Sequence, residues 1–228
     1  VRAMDELAGE ARGVLVANGV DAELFAPRER RAARAALGLS GERAPDAPLV
    51  LVVGHLIERK DPLLALEVVA RLRASAAANA RLVYVGRGAL ESELRAAVAS
   101  RGFETWVSLV GEAAPDVLAR WYNAADALLL TSRREGRPNV VLEALSSGLP
   151  VLATDAGGTA ELLAGDARML ARTREPQELA AQLAGLLSAP RDSQALRALA
   201  QRWIWEGAFA ALDKLLERAR GAANGAPR

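Results

Sequence analysis

Between residues 49 and 171 short apolar runs alternate with longer amphipathic stretches, and this alternation constrains the fold more than any other feature of the chain. The runs at 49–53, 82–85, 106–110, 126–130 and 150–153, with a last one at 168–171, are dominated by Val, Leu and Ala. Strands covered on both faces have that composition, whereas a strand with one wet face alternates apolar and polar residues. The stretches between them, at 62–77, 89–100, 115–123 and 138–147, are of helical length. Repeated strand–helix–strand units predict an α/β fold, a Rossmann-like parallel β-sheet with helices on both faces. Ligands on such a sheet bind beyond the carboxyl ends of the strands, which directs attention to the loops at 54–61, 86–88, 111–114, 131–138 and 154–161. Further helices are predicted at 28–37, 176–188 and 191–220, with a strand at 14–17 and the end of a helix within 1–12.

A chain of 228 residues, 51% of them hydrophobic and 25% charged, can bury one sizeable core and carry appended helices. Its net charge of +1 argues against nucleic acid as a partner, because a surface that tracks phosphates needs a clear excess of basic side chains. The absence of cysteine excludes disulfides and thiolate–zinc sites. His55 is the single histidine, which excludes a His–His metal site. With no serine elbow beside it, a Ser–His–Asp hydrolase is disfavoured as well. No apolar run reaches the ~20 residues that span a bilayer. The chain opens on Val1 inside a helical pattern, and a longer protein is expected upstream.

Residues 131–150, TSRREGRPNVVLEALSSGLP, carry the strongest local signal. They read as strand end, polar loop, helix and turn, with Pro138 suited to a first helical position and Gly148 and Pro150 closing the helix. A helix amino terminus presents unpaired N–H groups and partial positive charge, which suits a phosphate; here Arg137, Pro138, Asn139 and Val140 form it. Glu135 precedes the helix and Glu143 lies about a turn into it, so both can border a ligand whose phosphates rest on the helix end. A sugar joined to a nucleotide has that shape. Loop 54–61, GHLIERKD, feeds another helix, with Asp61 as N-cap and Pro62 at its first position, and so holds Lys60 near a second helix end. A departing nucleoside diphosphate gathers negative charge that positioned cations and amides can hold without a metal. Gly86-Arg87-Gly88 begins like a dinucleotide fingerprint but lacks the third glycine and the later acidic residue, so an NAD site is rejected.

The string EGRPNVVLEALSSGLPVLATDAGGTAEL, residues 135–162, resembles the Glu–seven residues–Glu region of the retaining, nucleotide-sugar-dependent glycosyltransferases called family 4 or group 1, which have the two-domain GT-B architecture. NGVDAELFAP, residues 18–27, is similar to the start of that family's second domain, and the likeness covers residues 14–215, the donor-binding half alone. The resemblance implies a division into a hinge segment from a missing N-terminal domain (1–17), a donor-binding domain (18–200), a C-terminal helix packing back toward the N-terminal domain (201–220) and a disordered tail (221–228). It implies transfer of a hexosyl group from a nucleoside-diphosphate sugar to a saccharide or lipid-linked acceptor, with no metal and no cofactor beyond the donor substrate.

Within that resemblance Glu135 and Lys60 are the expected catalytic residues. Glu135 would bond the sugar hydroxyls and support the oxocarbenium-like centre. Lys60 and the backbone of Gly136, Arg137, Pro138, Asn139 and Val140 would hold the diphosphate, and Glu143 the ribose. Gly54, His55, Arg59, Gly86, Val110 and Gly111 complete the donor site. His55 stands where the family has arginine, which leaves the first phosphate contact to His55 or Arg59. Gly157, Gly158 and Glu161 resemble a loop that supports the donor pocket, while Trp203 and Trp205 are read as core anchors. The expected partners are the donor and an acceptor reached through the missing domain, with no nucleic acid. A cytoplasmic location with peripheral membrane association of the whole protein is also expected. This fragment should bind its donor but not catalyse efficiently. Two alternatives stay open: a nucleotide-sugar-binding protein without activity, and a nucleotide-sugar epimerase of the same fold.

Overall fold

The computed structural model describes residues 18–39, 46–164 and 166–205, together with 207, 209, 210, 212, 213, 216 and 217. The helix end expected in 1–12, the strand at 14–17, the hinge 1–17 and the tail 221–228 lie outside the described residues. Six strands form one all-parallel sheet: β1 (Leu49–Val53), β2 (Arg81–Val85), β3 (Val107–Leu109), β4 (Ala127–Leu130), β5 (Val151–Thr154) and β6 (Leu170–Ala171). Their spatial order is β3-β2-β1-β4-β5-β6. The helices are α1 (Arg30–Ala36), α2 (Pro62–Ser75), α3 (Glu91–Ser100), α4 (Pro115–Ala124), α5 (Asn139–Ser146), α6 (Thr159–Leu162), α7 (Pro176–Ser188) and α8 (Ser193–Gln201).

The pleat explains why the strands read as continuous apolar runs. Leu49, Leu51 and Val53 of β1 and Leu128 and Leu130 of β4 face one layer, where they meet Tyr122 of α4 and Val141, Leu142 and Leu145 of α5. Val50, Ala127, Leu129 and Leu152 face the other layer and pack on Leu66, Val69 and Leu72 of α2, Leu94 of α3 and Leu183 of α7. Successive strand residues are therefore buried on opposite sides, and neither face is left for polar residues. At the amino end of the sheet Asp126 accepts from the Leu49 amide (2.7 Å) and pairs with Arg34 (2.8 Å) and Arg30, which pins α1 to the strands.

The chain builds outward from β1 to β3, returns through α4 to lay β4 on the other side of β1, then continues outward to β6. Val50 lies opposite Ala127 and Leu51 opposite Leu128. Because the direction of growth reverses between β1 and β4, the helices that follow them, α2 and α5, lie on opposite faces of the sheet, and the carboxyl edge between the two strands is the switch point at whose crevice such sheets place ligands.

Three expectations are corrected. The helix predicted over 191–220 is interrupted: α8 ends at Gln201, and the Trp203 carbonyl accepts from the Val20 amide (2.8 Å) while Ile204 bridges Val20. That pairing coincides with the break in the helix, where residues 202–203 form a turn and Ile204 a bridge. The last strand is Leu170–Ala171 rather than 168–171, because Arg168 is folded back onto Asp166 through its amide and guanidinium. Asn139 begins α5, and Pro138, in extended geometry (φ −73°, ψ 111°), is its N-cap. The four-residue α6 has no counterpart in the sequence reading, being too short to show a period. Among the described residues no helix is long and apolar enough to cross a membrane.

Candidate functional site

Two loops build the centre of the site. After β1 the chain makes a 3₁₀ turn over Glu58–Lys60, and Asp61, in left-handed geometry (φ 49°), caps α2 by accepting from the Leu64 amide at 3.3 Å. After β4, Thr131 and Ser132 continue into the loop that carries Glu135. Thr131 Oγ1 donates to the carbonyls of Lys60 (3.1 Å) and Asp61 (2.8 Å), and the Arg133 amide donates to the Arg59 carbonyl (2.8 Å). The two loops are thus stitched together, and residues 75 positions apart meet: Lys60 Nζ lies 2.5 Å from Glu135 Oε1. Ser132 Oγ donates to the same oxygen at 2.5 Å, and Arg59 reaches Glu135 Oε2 at 3.5 Å and the Arg134 carbonyl at 3.1 Å. The Glu135 side chain is only 5% exposed and that of Lys60 16%. A carboxylate this sheltered is held by charge and hydrogen bonds, and the direction it faces is set by the fold.

The remaining sequence-predicted residues line the same edge of the sheet. Gly54, Gly86 and Gly111 follow β1, β2 and β3, and the Gly54 amide donates to the Val85 carbonyl (3.0 Å) while that of Gly86 donates to the Gly111 carbonyl (2.7 Å). A side chain on Gly86 would collide with the Gly54 carbonyl, and its φ of 140° suits glycine alone. The stem of Lys60 lies over Gly54, its Cε 3.8 Å from where a Cβ would be. Arg87 lies across Gly111 in the same way, beside Val110, which is 42% exposed. His55 is exposed, and it is Arg59 that turns toward Glu135.

The amino end of α5 approaches from the other side. Pro138, placed at the N-cap, contributes no N–H, which narrows the amide donors expected over 137–140, and no side chain caps the helix. Asn139 Oδ1 accepts from Asn18 Nδ2 at 3.4 Å. The Arg137 guanidinium is turned away, paired with Glu161 at 2.9 Å and stacked 4.4 Å from the Trp203 ring. Trp203 is half-buried beneath it, whereas Trp205 is 38% exposed and stacks on Phe209 instead of anchoring the core. Gly157 and Gly158 do not merely turn the chain. The Gly158 amide donates to the Gly136 carbonyl (2.8 Å), and a Cβ on Gly157 would strike the Glu135 carbonyl, so the pair forms a floor under the Glu135 loop.

Glu143 is set apart from the Lys60–Glu135 pair. Its Oε2 accepts from the hydroxyl of buried Tyr122 at 2.7 Å. Burial pushes the Glu143 carboxyl above its ordinary value, partly offset by that hydrogen bond, and burial together with the neighbouring Glu143 charge pushes the Tyr122 phenol well up. Ser132, Tyr122 and Arg174 were not singled out from the sequence. Tyr122 and Arg174 take part through partners in another helix or loop, and Ser132 through Glu135 three residues on, and nothing in the local sequence of any of them marks it. Among the described residues no three His, Asp or Glu side chains cluster as metal ligands would.

A cavity of about 860 Å³ opens at the opposite, amino edge of the sheet, bordered by Asp126, Pro150, Met169 and Arg191. Several of its charged groups are engaged with the protein: Arg30 with Asp126, Arg168 with Asp166, and Arg191 with the carbonyls of Gly148 and Ala125. It is remote from the groups described above.

A parallel sheet with polar groups gathered at the carboxyl edge, around the β1–β4 switch point, defines a Rossmann-like domain of the nucleotide-binding type. The chain belongs to the glycosyl transferases group 1 family, whose model matches residues 47–189. It is 32% identical over 225 residues to D-inositol 3-phosphate glycosyltransferase of Jonesia denitrificans, covering 92% of this chain and 52% of that protein. Among solved structures it is similar to sucrose-phosphate synthase from Thermosynechococcus elongatus (TM-score 0.81, 24% identity, 97% of this chain and 56% of that one). It also resembles Anabaena HepE in complex with UDP and glucose (TM-score 0.73, 22% identity, 95% and 60%). The chain thus spans about half the length of the curated relatives it matches.

Proposed function

We propose that this chain is the donor-binding half of a retaining glycosyltransferase that moves a hexosyl group from a nucleoside-diphosphate sugar to a saccharide or lipid-linked acceptor. The observation that carries the reading is the meeting of Lys60 and Glu135 in the β1–β4 crevice, with the uncapped end of α5 alongside. Breaking a glycosyl–phosphate bond leaves negative charge on the diphosphate and positive character on the sugar. A lysine and helix amides answer the first, and a sheltered carboxylate answers the second. Glu135 acts on the sugar hydroxyls and the oxocarbenium-like centre, Lys60 and the Asn139 and Val140 amides on the diphosphate, and Glu143 on the ribose. The glycine trough from Gly54 through Gly86 to Gly111 takes the nucleoside. Arg59 supplies the phosphate contact that His55 does not. These groups supply the charge stabilisation without a metal.

UDP is the first nucleotide to test, because the HepE structure holds UDP. The acceptor is bound by the rest of a longer protein, against which segment 201–220 packs. We place the reaction in the cytoplasm, with the whole protein peripheral to a membrane. Calorimetry of this chain with UDP and GDP, with and without chelator, is expected to show binding that chelation does not alter. Turnover by the whole protein should yield a glycosylated acceptor with retained anomeric configuration. An altered free nucleotide-sugar would point to an epimerase, and binding with neither product to a binding protein.

A further inference from the structure

We infer that Arg174, in the loop between β6 and α7, is a positioning residue that holds Lys60 and Glu135 in register; the inference rests on the functional reading above. Its guanidinium joins the two loops of the crevice directly. One terminal nitrogen donates to the carbonyls of Thr131 (3.0 Å) and Ser132 (2.9 Å), where the chain leaves β4. The other lies 2.6 Å from Asp61 Oδ2, immediately after Lys60. Asp61 is thereby fully used: Oδ1 caps α2, and Oδ2 also receives Arg133 at 2.7 Å. Thr131 in turn donates to the Lys60 and Asp61 carbonyls, and Ser132 to Glu135. The Thr131 links between the two loops and the Ser132 link to Glu135 therefore all involve residues that Arg174 holds, while the Arg133 amide adds a separate link to the Arg59 carbonyl.

The chemistry of the side chain suits that task. A guanidinium is a planar fork with five donors, and it can hold a carboxylate and two carbonyls at once in one plane; an ammonium is a point charge on a flexible stem. Lysine and glutamate side chains from loops 75 residues apart will not stay aligned unless the loops do. Strand β6 lies three places from β1 and two from β4 in the sheet, so Arg174 braces the crevice from outside its two walls. With its side chain 34% exposed, it is reachable for substitution without opening the core.

The test uses Arg174→Met and Arg174→Lys in this chain, read by amide exchange and by calorimetry. Arg174→Met should speed exchange of the Arg133 and Gly158 amides, which bond the Arg59 and Gly136 carbonyls, by about tenfold, leaving central β1 and β2 amides unchanged. UDP affinity should fall about tenfold while uridine affinity holds, with Arg174→Lys between the two. In a Lys60→Met background, adding Arg174→Met should cost little more, because both act on one contact. Unchanged exchange, equal losses for UDP and uridine, or losses that multiply in the double variant would each overturn the inference. Failure of the unaltered chain to bind UDP or GDP would overturn the functional reading instead, and the exchange measurement would still decide for or against Arg174.

Discussion

At the scale of single residues, Lys60→Ala should weaken UDP binding by ~1.5–3 kcal/mol, the usual worth of a charge-assisted hydrogen bond, and leave uridine nearly unaffected. Equal losses for the two ligands would mean that Lys60 serves the fold through Glu135 and not the phosphates. The two glutamates should separate in the same assay. Glu143→Gln is expected to weaken UDP and UDP-sugar alike, whereas Glu135→Gln should spare UDP and lower kcat of the whole protein, since an interaction made at the transferring sugar matters most in the transition state. Glu143 also carries a pH signature. Its folded-state value is raised by burial above the ordinary 4.5, so its contribution to stability is fully present below 4.5 and is lost as pH rises through the folded value. Glutamine keeps the acceptor for Tyr122 but cannot ionise. The melting temperature of Glu143→Gln relative to the unaltered chain should therefore climb as pH rises from 4.5 through the raised folded value. A difference that does not change with pH would show that burial of this carboxyl has no energetic consequence.

At the scale of elements, the glycines separate steric need from simple tolerance. Gly157→Ala puts a methyl group into the Glu135 carbonyl at a φ of 61°, so the Glu135 loop must move. A loss of ~2 kcal/mol or more in denaturant unfolding is expected, together with weaker UDP binding, because the floor and the ligand loop are one structure. Gly185, inside α7 with open space around it, is the internal control. Its replacement by alanine should stabilise the chain by ~0.5–1 kcal/mol with UDP affinity unchanged. Should Gly157→Ala unfold like the unaltered chain, the close approach of the two loops would be wrong.

At the scale of the whole molecule, four of the five exposed large apolar side chains among the described residues lie in segment 201–220, which the function proposed above packs against a preceding domain. Trp205, Phe209, Leu212 and Leu216 are 38%, 57%, 41% and 47% exposed, and they recur at intervals of four, three and four residues. That spacing puts them on one face of a helix, a face too apolar to be left in water. In the whole protein Trp205 and Phe209 should be protected from hydroxyl-radical footprinting relative to this chain. Equal labelling in both would remove the proposal that segment 201–220 packs on the preceding domain.

Much of this architecture was legible in the residues alone. Strand β1 and helix α7 were placed to the residue, and the other strands to within two residues, because a two-sided buried strand and an amphipathic helix are local patterns with periods of their own. Asp61 and Pro62 announced the start of α2, and the Glu135–Glu143 spacing announced the loop and helix of the site. Local pattern misplaced the break at 202–204, which coincides with the pairing of Val20 with Trp203 and Ile204 across the molecule. It was silent on Tyr122 and Arg174 for the same reason: a tyrosine or arginine that bonds to a distant loop or helix looks in sequence like any other, and Ser132 looks like any loop serine until the loop turns it onto Glu135. The sequence by itself determined which elements form, their order and the groups available at the carboxyl edge, since those follow from hydrophobic period, caps and turns. Only the tertiary structure decided that Lys60 meets Glu135, that Glu143 turns to Tyr122, and that Arg174 spans the two loops. Hydrogen bonds between residues 21 to 113 positions apart depend on how the strands are ordered in space, which no local period records.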